Sequence, residues 1–350
     1  MSAPIIRIDD PYHADSDLII DVRSPSEYAD DHIVGSVNKP SLSDDERAQV
    51  GTLYKQKSAF EARKIGAALT ARNIAHHIET SFLDRSADFT PLIYCWRGGQ
   101  RSRAVAKIFS EIGWTSFVLD GGYKQYRKQV MDSLDNLPSQ FKFVIIAGHT
   151  GSAKTKLLHI LSEQGAQIID LEGLASHKGS VLGSGDTPQP SQKYFESLIA
   201  YELKHLDPAK PVFLESESAK IGNVHIPKLF WQQMISSPLV MIQTPRSERA
   251  RYLISEYQNL MSDTSLLSAL ISGMKQRHGT EKTAKWRGLL DDENWLALAE
   301  ILLEEHYDPA YSHSVLRHNR EITMTLPQDD CSADCLSKTA EIILKNSFDK

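Results

Sequence analysis

The chain has 350 residues, 39 Lys and Arg against 45 Asp and Glu, a formal net charge of −6, and 41% apolar with 24% charged residues. That length supports two domains with cores of their own, and the composition is that of an ordinary soluble globular protein, which argues against fibrous, disordered and disulfide-scaffold classes; the 3 cysteines are too few for a disulfide framework. No apolar run reaches membrane-spanning length and the first residues lack a signal-peptide pattern, so no membrane partner and a cytoplasmic location are expected, while a local basic face can still lie beneath the acidic total.

The N-terminal part alternates strands and helices. Residues 18–23 read as a buried strand, and 43–75 as one long, mostly helical stretch. The apolar run 91–94 is a strand that stops at Cys95, and a helical pattern follows over 104–109. Residues 116–119 form a strand closed by Gly121 and Gly122, and 123–134 a helix carrying Lys124, Arg127 and Lys128. Alternation of this kind predicts an α/β fold with a mainly parallel sheet. The breaker cluster 135–139 divides a first domain, residues 1–135, from a second, residues 136–350. There a strand over 141–147 runs into a Gly-rich loop, further strands are expected at 166–171, 211–214 and 239–243, and the last hundred residues read as mostly helical.

Two loops carry chemistry. In the first, Cys95 is followed by Trp96, Arg97, Gly98, Gly99, Gln100, Arg101 and Ser102. A strand that ends in Cys and turns through two glycines into a helix N-terminus aims backbone N–H groups at the sulfur. With Arg97 and Arg101 nearby, that environment lowers the thiol pKa and favours the nucleophilic thiolate. Cys95 to Arg101 is also a C-x5-R loop, a shape that holds a tetrahedral oxyanion. The bland alternative is a structural cysteine at a strand end.

The second loop, Gly148 to Thr155, fits the phosphate-binding template G-x-x-x-x-G-K-[ST], except that Ala153 holds the second Gly position. Its backbone N–H groups, from Gly148 through Thr150, Gly151 and Ser152, cradle a diphosphate, Lys154 neutralises it, and Thr155 can reach a Mg²⁺; no other metal is assigned. Asp170, Glu172 and Glu215 lie at strand ends that open on the same crevice in such sheets. Glu217 lies two residues beyond Glu215, and the plainer alternative for the two is a capping or solvated acidic pair. Arg246 and Arg249 follow the next strand and read either as a phosphate-clamping lid or as a solvated helix face. Lys275, Arg277, Lys282, Lys285 and Arg287 surround Trp286, an arrangement that suits an RNA backbone and a stacked base, although a solvated face is the plainer reading. Cys331 and Cys335 have no partner pair for a metal site and read as incidental.

Residues 21–28, from Asp21, Val22 and Arg23 onward, together with the stretch from His32 to Asn38, resemble the opening of a rhodanese domain, with Asp31 in place of the usual glycine. A rhodanese-like domain joined to a P-loop domain resembles the bacterial tRNA 2-selenouridine synthase family. Residues 51–56, the Cys95 loop, residues 170–180 and the stretch from Glu215 through Gly222 carry the likeness further. The resemblance implies a rhodanese-like parallel-sheet domain followed by a P-loop α/β domain with a helical C-terminal part. It implies a transferase that acts on 2-thiouridine at the wobble position (U34) of the tRNAs for Lys, Glu and Gln. The sulfur would be alkylated with geranyl diphosphate, and selenium from selenophosphate would then displace the S-geranyl group.

Cys95 would receive selenium as an S-selanylcysteine intermediate or position the donor, with Arg97 and Arg101 beside it and with Asp21, Arg23, Gly98, Gly99 and Ser102 as supports. No tightly bound cofactor is implied; geranyl diphosphate and selenophosphate are co-substrates, tRNA is the partner, and an enzyme that supplies selenophosphate is a further one. No segment identifies an apolar slot for the geranyl chain, and oligomeric state is not legible. The rival readings are a rhodanese-type sulfurtransferase, or a cysteine-dependent phosphatase with a regulatory nucleotide-binding domain.

Overall fold

Buried strands with Gly-closed ends, alternating with amphipathic helices, give two separate parallel sheets in the computed structural model, which describes residues 2–12, 15–177, 188–258, 261, 264–311 and 321–346. The chain divides into two units. The first comprises residues 1–134 together with 191–201, and the second comprises residues 135–190 and 202–350. The division falls at the breaker cluster, but the segment 191–201, which the sequence placed in the second domain, packs with the first.

The first unit begins with β1 (Ile5–Ile8) and β2 (Leu18–Asp21), followed by α1 (Pro25–Asp30), β3 (Val37–Asn38), α2 (Asp44–Gln56) and α3 (Ala59–Ser81). Next come β4 (Pro91–Tyr94), α4 (Gln100–Ile112), β5 (Ser116–Leu119) and α5 (Gly122–Asn136). The strand order is β1-β5-β4-β2-β3, with every pair parallel. All four residues of the central β4 are buried, as a strand covered on both faces requires. Phe82, Phe89, Phe109 and Trp114 meet edge-on behind it; the rings of Phe109 and Trp114, for example, are 5.2 Å apart at 89°. The stretch read as one helix over 43–75 is two helices. Ser43 and Glu46 form a capping box at the start of α2, and the Ser58 hydroxyl accepts from the Phe60 N–H to open α3.

The second unit runs from β6 (Phe143–Gly148) through α6 (Lys154–Glu163), β7 (Gln167–Ile169) and α7 (Leu171–Leu174). α8 (Gln192–His205) starts in the first unit's segment and ends in the second. Then follow β8 (Val212–Glu215), a hairpin of β9 (Lys220–Ile221) and β10 (Val224–His225), α9 (Lys228–Ser236), β11 (Leu239–Gln243) and α10 (Arg246–Glu256). The helical region adds α11 (Ser265–Gly273), α12 (Lys275–Asp291) and α13 (Trp295–Leu302), before β12 (Ile322–Pro327) and α14 (Ala333–Lys345) close the unit. The five-stranded order is β12-β11-β6-β8-β7, again all parallel. Strand β12, inside a stretch read as helical, forms one edge of that sheet. Among the described residues, no helix is long and apolar enough to cross a membrane.

Candidate active site

The Cys95 loop sits where β4 ends and α4 begins. The thiol is 3% exposed. Its sulfur accepts the Gly99 N–H at 3.2 Å and lies 3.3 Å from the Ser102 hydroxyl. Burial pushes this thiol up, but hydrogen bonds from Ser102 and from the backbone N–H groups of Arg97 and Gly99 outweigh it and hold the pKa below the usual cysteine value. The loop is clamped from behind by the start of α5: the Tyr123 and Lys124 N–H groups donate to the carbonyls of Cys95 and Trp96 at 2.9 and 3.0 Å. Only glycine fits at position 122, whose φ is +57° and where a Cβ would lie 2.2 Å from the Cys95 carbonyl oxygen.

The arginines do less for the sulfur than their spacing indicated. Arg101 is spent on Glu27, at 3.2 Å, and Glu27 also holds Arg47 at 3.1 Å. Hydrogen bonds, rather than guanidinium charge, lower the thiol. Arg97 stands exposed at the loop's lip. Asp21 and Arg23 are fully buried partners, with Arg23 Nη2 at 2.6 Å from Asp21 and its guanidinium 3.9 Å from the Tyr123 ring centre. They brace the end of β2 rather than face a ligand.

Asp31, the departure from the rhodanese pattern, is also buried. It accepts from the Tyr123 hydroxyl at 2.8 Å and from Ser197 of α8 at 2.8 Å, and burial raises its carboxyl to about 6 despite those bonds and the nearby Arg127. Arg127 is thereby tied up, with Glu196 as a second partner. A cavity of about 690 Å³ runs between α2, α3 and α4, lined among others by Tyr54, Arg63, Gln100 and Arg101.

In the second unit, Gly148 to Thr155 joins β6 to α6, as a phosphate cradle requires. Ala153 adopts the left-handed region, φ 53° and ψ 36°, so the residue that replaces glycine takes glycine's conformation, at a strain of about 1–2 kcal/mol. At Gly151, φ +85°, a Cβ would come 2.9 Å from the Arg249 carbonyl. The Ser152 hydroxyl donates to the His149 carbonyl at 2.8 Å and Lys154 Nζ to the Gly148 carbonyl at 3.0 Å. The Gly148 N–H donates to the Tyr311 hydroxyl at 2.8 Å.

Thr155 donates to Glu172 at 3.1 Å, and one oxygen each of Glu172, Glu215 and Glu217 lie within 4.8 Å of one another. Glu215 is 1% exposed and neither of its oxygens has a hydrogen-bond partner; burial first, and the charge of Glu172 second, raise its pKa to about 8. Three carboxylates and a hydroxyl, one carboxylate buried with both oxygens unpaired, suit a hard divalent cation such as Mg²⁺. Glu217, read as a cap or solvated group, joins because its N–H bonds back to the Glu215 carbonyl at 3.0 Å in a tight turn.

Three readings are corrected here. Asp170 does not face the crevice freely: it caps α7 through the Gly173 N–H at 2.7 Å and pairs with His159 at 3.0 Å. Arg249 is no lid. It is 4% exposed, gripped by both oxygens of Asp308 at 2.8 Å, and donates to the Thr150 carbonyl at 3.0 Å, so its donors brace the loop from behind. Arg246 pairs with Glu304 at 2.7 Å. Trp286 is fully buried among Leu267, Ile271, Met274, Leu290 and Leu298 and cannot stack a base, because its helical spacing turns it into the core while Lys275, Arg277, Lys282, Lys285 and Arg287 stay exposed. Of these, Lys282 lies 3.5 Å from Glu305 and Arg287 donates to Ser272 at 2.5 Å. Lys178, Gly179 and Ser180 lie outside the described residues.

Comparison with known proteins follows this division. A family model for the rhodanese-like domain matches residues 7–129, and one described as the tRNA 2-selenouridine synthase AAA domain matches residues 141–286. The chain is 35% identical over 264 residues to the tRNA 2-selenouridine synthase of Nitrosomonas europaea, covering 73% of this chain and 68% of that protein. It is 31% identical to the same enzyme of a Sulfurovum species, covering 87% and 90%, and 32% identical to that of Shewanella halifaxensis, covering 85% and 88%.

Proposed function

Since this chain belongs to the tRNA 2-selenouridine synthase family and is a tRNA-modifying transferase, we propose that its two loops serve successive steps at the wobble uridine, in the tRNAs for Lys, Glu and Gln. The observation that carries this reading is the joining, in one chain, of a cysteine loop that lowers its thiol and a diphosphate-type loop with a lysine.

In the first step, geranyl diphosphate lies in the loop from Gly148 to Thr155. The sulfur of 2-thiouridine attacks C1 of the geranyl group, the C1–O bond breaks, and the diphosphate leaves with the electron pair. The N3 proton is lost as C2 becomes singly bonded to sulfur. Loop N–H groups and Lys154 stabilise the charge that develops on the leaving oxygens. Thr155, Glu172, Glu215 and Glu217 would hold Mg²⁺, which would supply further countercharge to the diphosphate. The domain then needs no nucleotide hydrolysis.

In the second step, the Cys95 loop receives selenophosphate. N–H groups of the loop and exposed Arg97 meet the phosphoryl oxygens, and the thiolate meets selenium. The selenium of selenophosphate adds at C2, and the geranylthiolate departs with its electron pair and takes a proton. Water then takes the phosphoryl group as the P–Se bond breaks, phosphate leaves, and N3 regains a proton to leave 2-selenouridine. Alkylation has by then turned sulfur into a competent leaving group. The cavity beside Gln100 and Arg101 admits the nucleoside, and the exposed cations of α12 hold the RNA backbone. An enzyme that makes selenophosphate is the upstream partner.

The test is mass spectrometry of tRNA nucleosides after incubation with geranyl diphosphate and selenophosphate, each omitted in turn. The chain should make S-geranyl-2-thiouridine from the first alone and 2-selenouridine only with both. Cys95→Ala should accumulate the geranylated nucleoside, and Lys154→Ala should make neither product. Selenation that needs ATP in place of geranyl diphosphate would overturn the scheme.

A further inference from the structure

The cradle from Gly148 to Thr155 has an apolar neighbour that no sequence motif marks. Thr150, in the middle of the loop, also lines a slot whose other walls are apolar. Leu253 comes from α10, Tyr257 from just after it, and Trp295, Leu298, Ala299 and Leu302 from α13. An anion cradle that opens directly onto an apolar wall fits a ligand of two parts, a diphosphate and a hydrocarbon chain.

A nucleotide fits less well. A base carries several donors and acceptors at its edge, and burying them without partners is costly. Beyond Thr150, the polar side-chain groups among the described lining residues are the indole N–H of Trp295 and the hydroxyls of Tyr257 and Tyr307. A saturated or olefinic chain asks for none.

We propose that this slot binds the geranyl chain while the diphosphate lies in the loop, so that C1 is held at the seam beside Thr150. The assignment rests on the diphosphate reading above and names where the other half of that substrate goes. Its volume, about 100 Å³, is smaller than the roughly 150 Å³ cavity that takes a benzene ring. It therefore holds one end of the ten-carbon chain, and the remainder lies along the slot's open side. Arg249 and Asp308 gain a role from this arrangement: by fixing the Thr150 carbonyl they hold the seam between the charged and apolar parts.

Calorimetric titration of the full-length chain tests the assignment, with geranyl, dimethylallyl and farnesyl diphosphates and inorganic diphosphate as ligands. Each methylene buried is worth about fourfold in affinity. Geranyl diphosphate should therefore bind more than about tenfold tighter than the dimethylallyl ester. Ala299→Phe, which fills the slot, should weaken geranyl diphosphate by about tenfold or more and leave inorganic diphosphate unchanged. Trp295→Ala, which widens it, should shift the preference toward farnesyl diphosphate and serves as the second variant if Ala299→Phe lowers the melting temperature. Unchanged geranyl affinity in both variants, with inorganic diphosphate still bound, would remove the slot and leave the diphosphate reading standing. A wild-type chain that binds ATP but neither geranyl nor inorganic diphosphate would remove both.

Discussion

Ser102→Ala tests how the Cys95 thiol is activated. In the folded chain the serine hydroxyl lies 3.3 Å from the sulfur and 3.3 Å from the Gly99 carbonyl, and it has one proton to give. When the thiol is neutral, the hydroxyl can donate to Gly99. When the thiol ionises, the sulfur becomes an acceptor only, and the hydroxyl turns to it. A hydrogen bond to a charged group is worth about 1.5–3 kcal/mol. Sulfur is a weak acceptor and the Gly99 bond is given up in exchange, so the net is about 1.4 kcal/mol, or about one pKa unit. The Gly99 N–H at 3.2 Å remains in the variant and sets a floor. The assay is the pH dependence of iodoacetamide alkylation at Cys95, with Cys331 and Cys335 changed to Ser. The midpoint should rise by about one unit in Ser102→Ala, while Arg101→Met, which removes an arginine already paired to Glu27, should move it less. The reverse order, a large shift for Arg101→Met and none for Ser102→Ala, would mean that guanidinium charge and not hydrogen bonding activates the thiol.

Asp31 keeps its proton to about pH 6 in the folded chain against an ordinary value of 3.8, so the folded state binds more protons between these values. Its contribution is fully present below pH 3.8 and lost as pH rises through 6; urea unfolding should find Asp31→Asn gaining about 2 kcal/mol on the wild type between pH 4.5 and pH 7.5, and parallel profiles would contradict the burial argument. Arg249→Met leaves Asp308 without its partner and the Thr150 carbonyl unsupported, and should cost about 3 kcal/mol in thermal unfolding while weakening diphosphate binding without touching the ligand. Trp286→Phe should leave tRNA affinity in a filter-binding assay unchanged, whereas Trp286→Ala should cost about 3–5 kcal/mol of stability as a core truncation; a selective loss of RNA binding in the Phe variant would restore a stacking role.

Local signals sufficed where chemistry and backbone geometry share a few consecutive residues. Both loops follow apolar strands and enter helices, and the breaker at 135–139 marks a division of the chain. What stayed hidden depends on distant partners or on which face a helix turns. β1 is largely exposed at a sheet edge and lacks alternation, so Ile5–Ile8 carries no strand pattern. β12 is a strand because β11, some 80 residues earlier, offers a free edge. Trp286 and its basic neighbours are interleaved in sequence, and only the helix's rotation sends one inward and the others out. Glu217 needed the turn after β8, and the apolar slot needed α10 and α13 to converge. The meaning of Asp31 lay 166 positions away, at Ser197.

That last contact bears on the order of synthesis. The first unit is not finished when Leu134 leaves the ribosome, because residues 191–201 still have to be made. Until they arrive, Asp31 lacks the Ser197 hydroxyl and the Cys95 loop rests on an incomplete unit. The nascent chain must build part of its diphosphate-binding unit before its cysteine unit can be completed, so release of a fully assembled cysteine unit is tied to the polypeptide having already committed to the other half. Cutting the gene at the obvious linker would break that dependence and give a fragment that ends inside a fold.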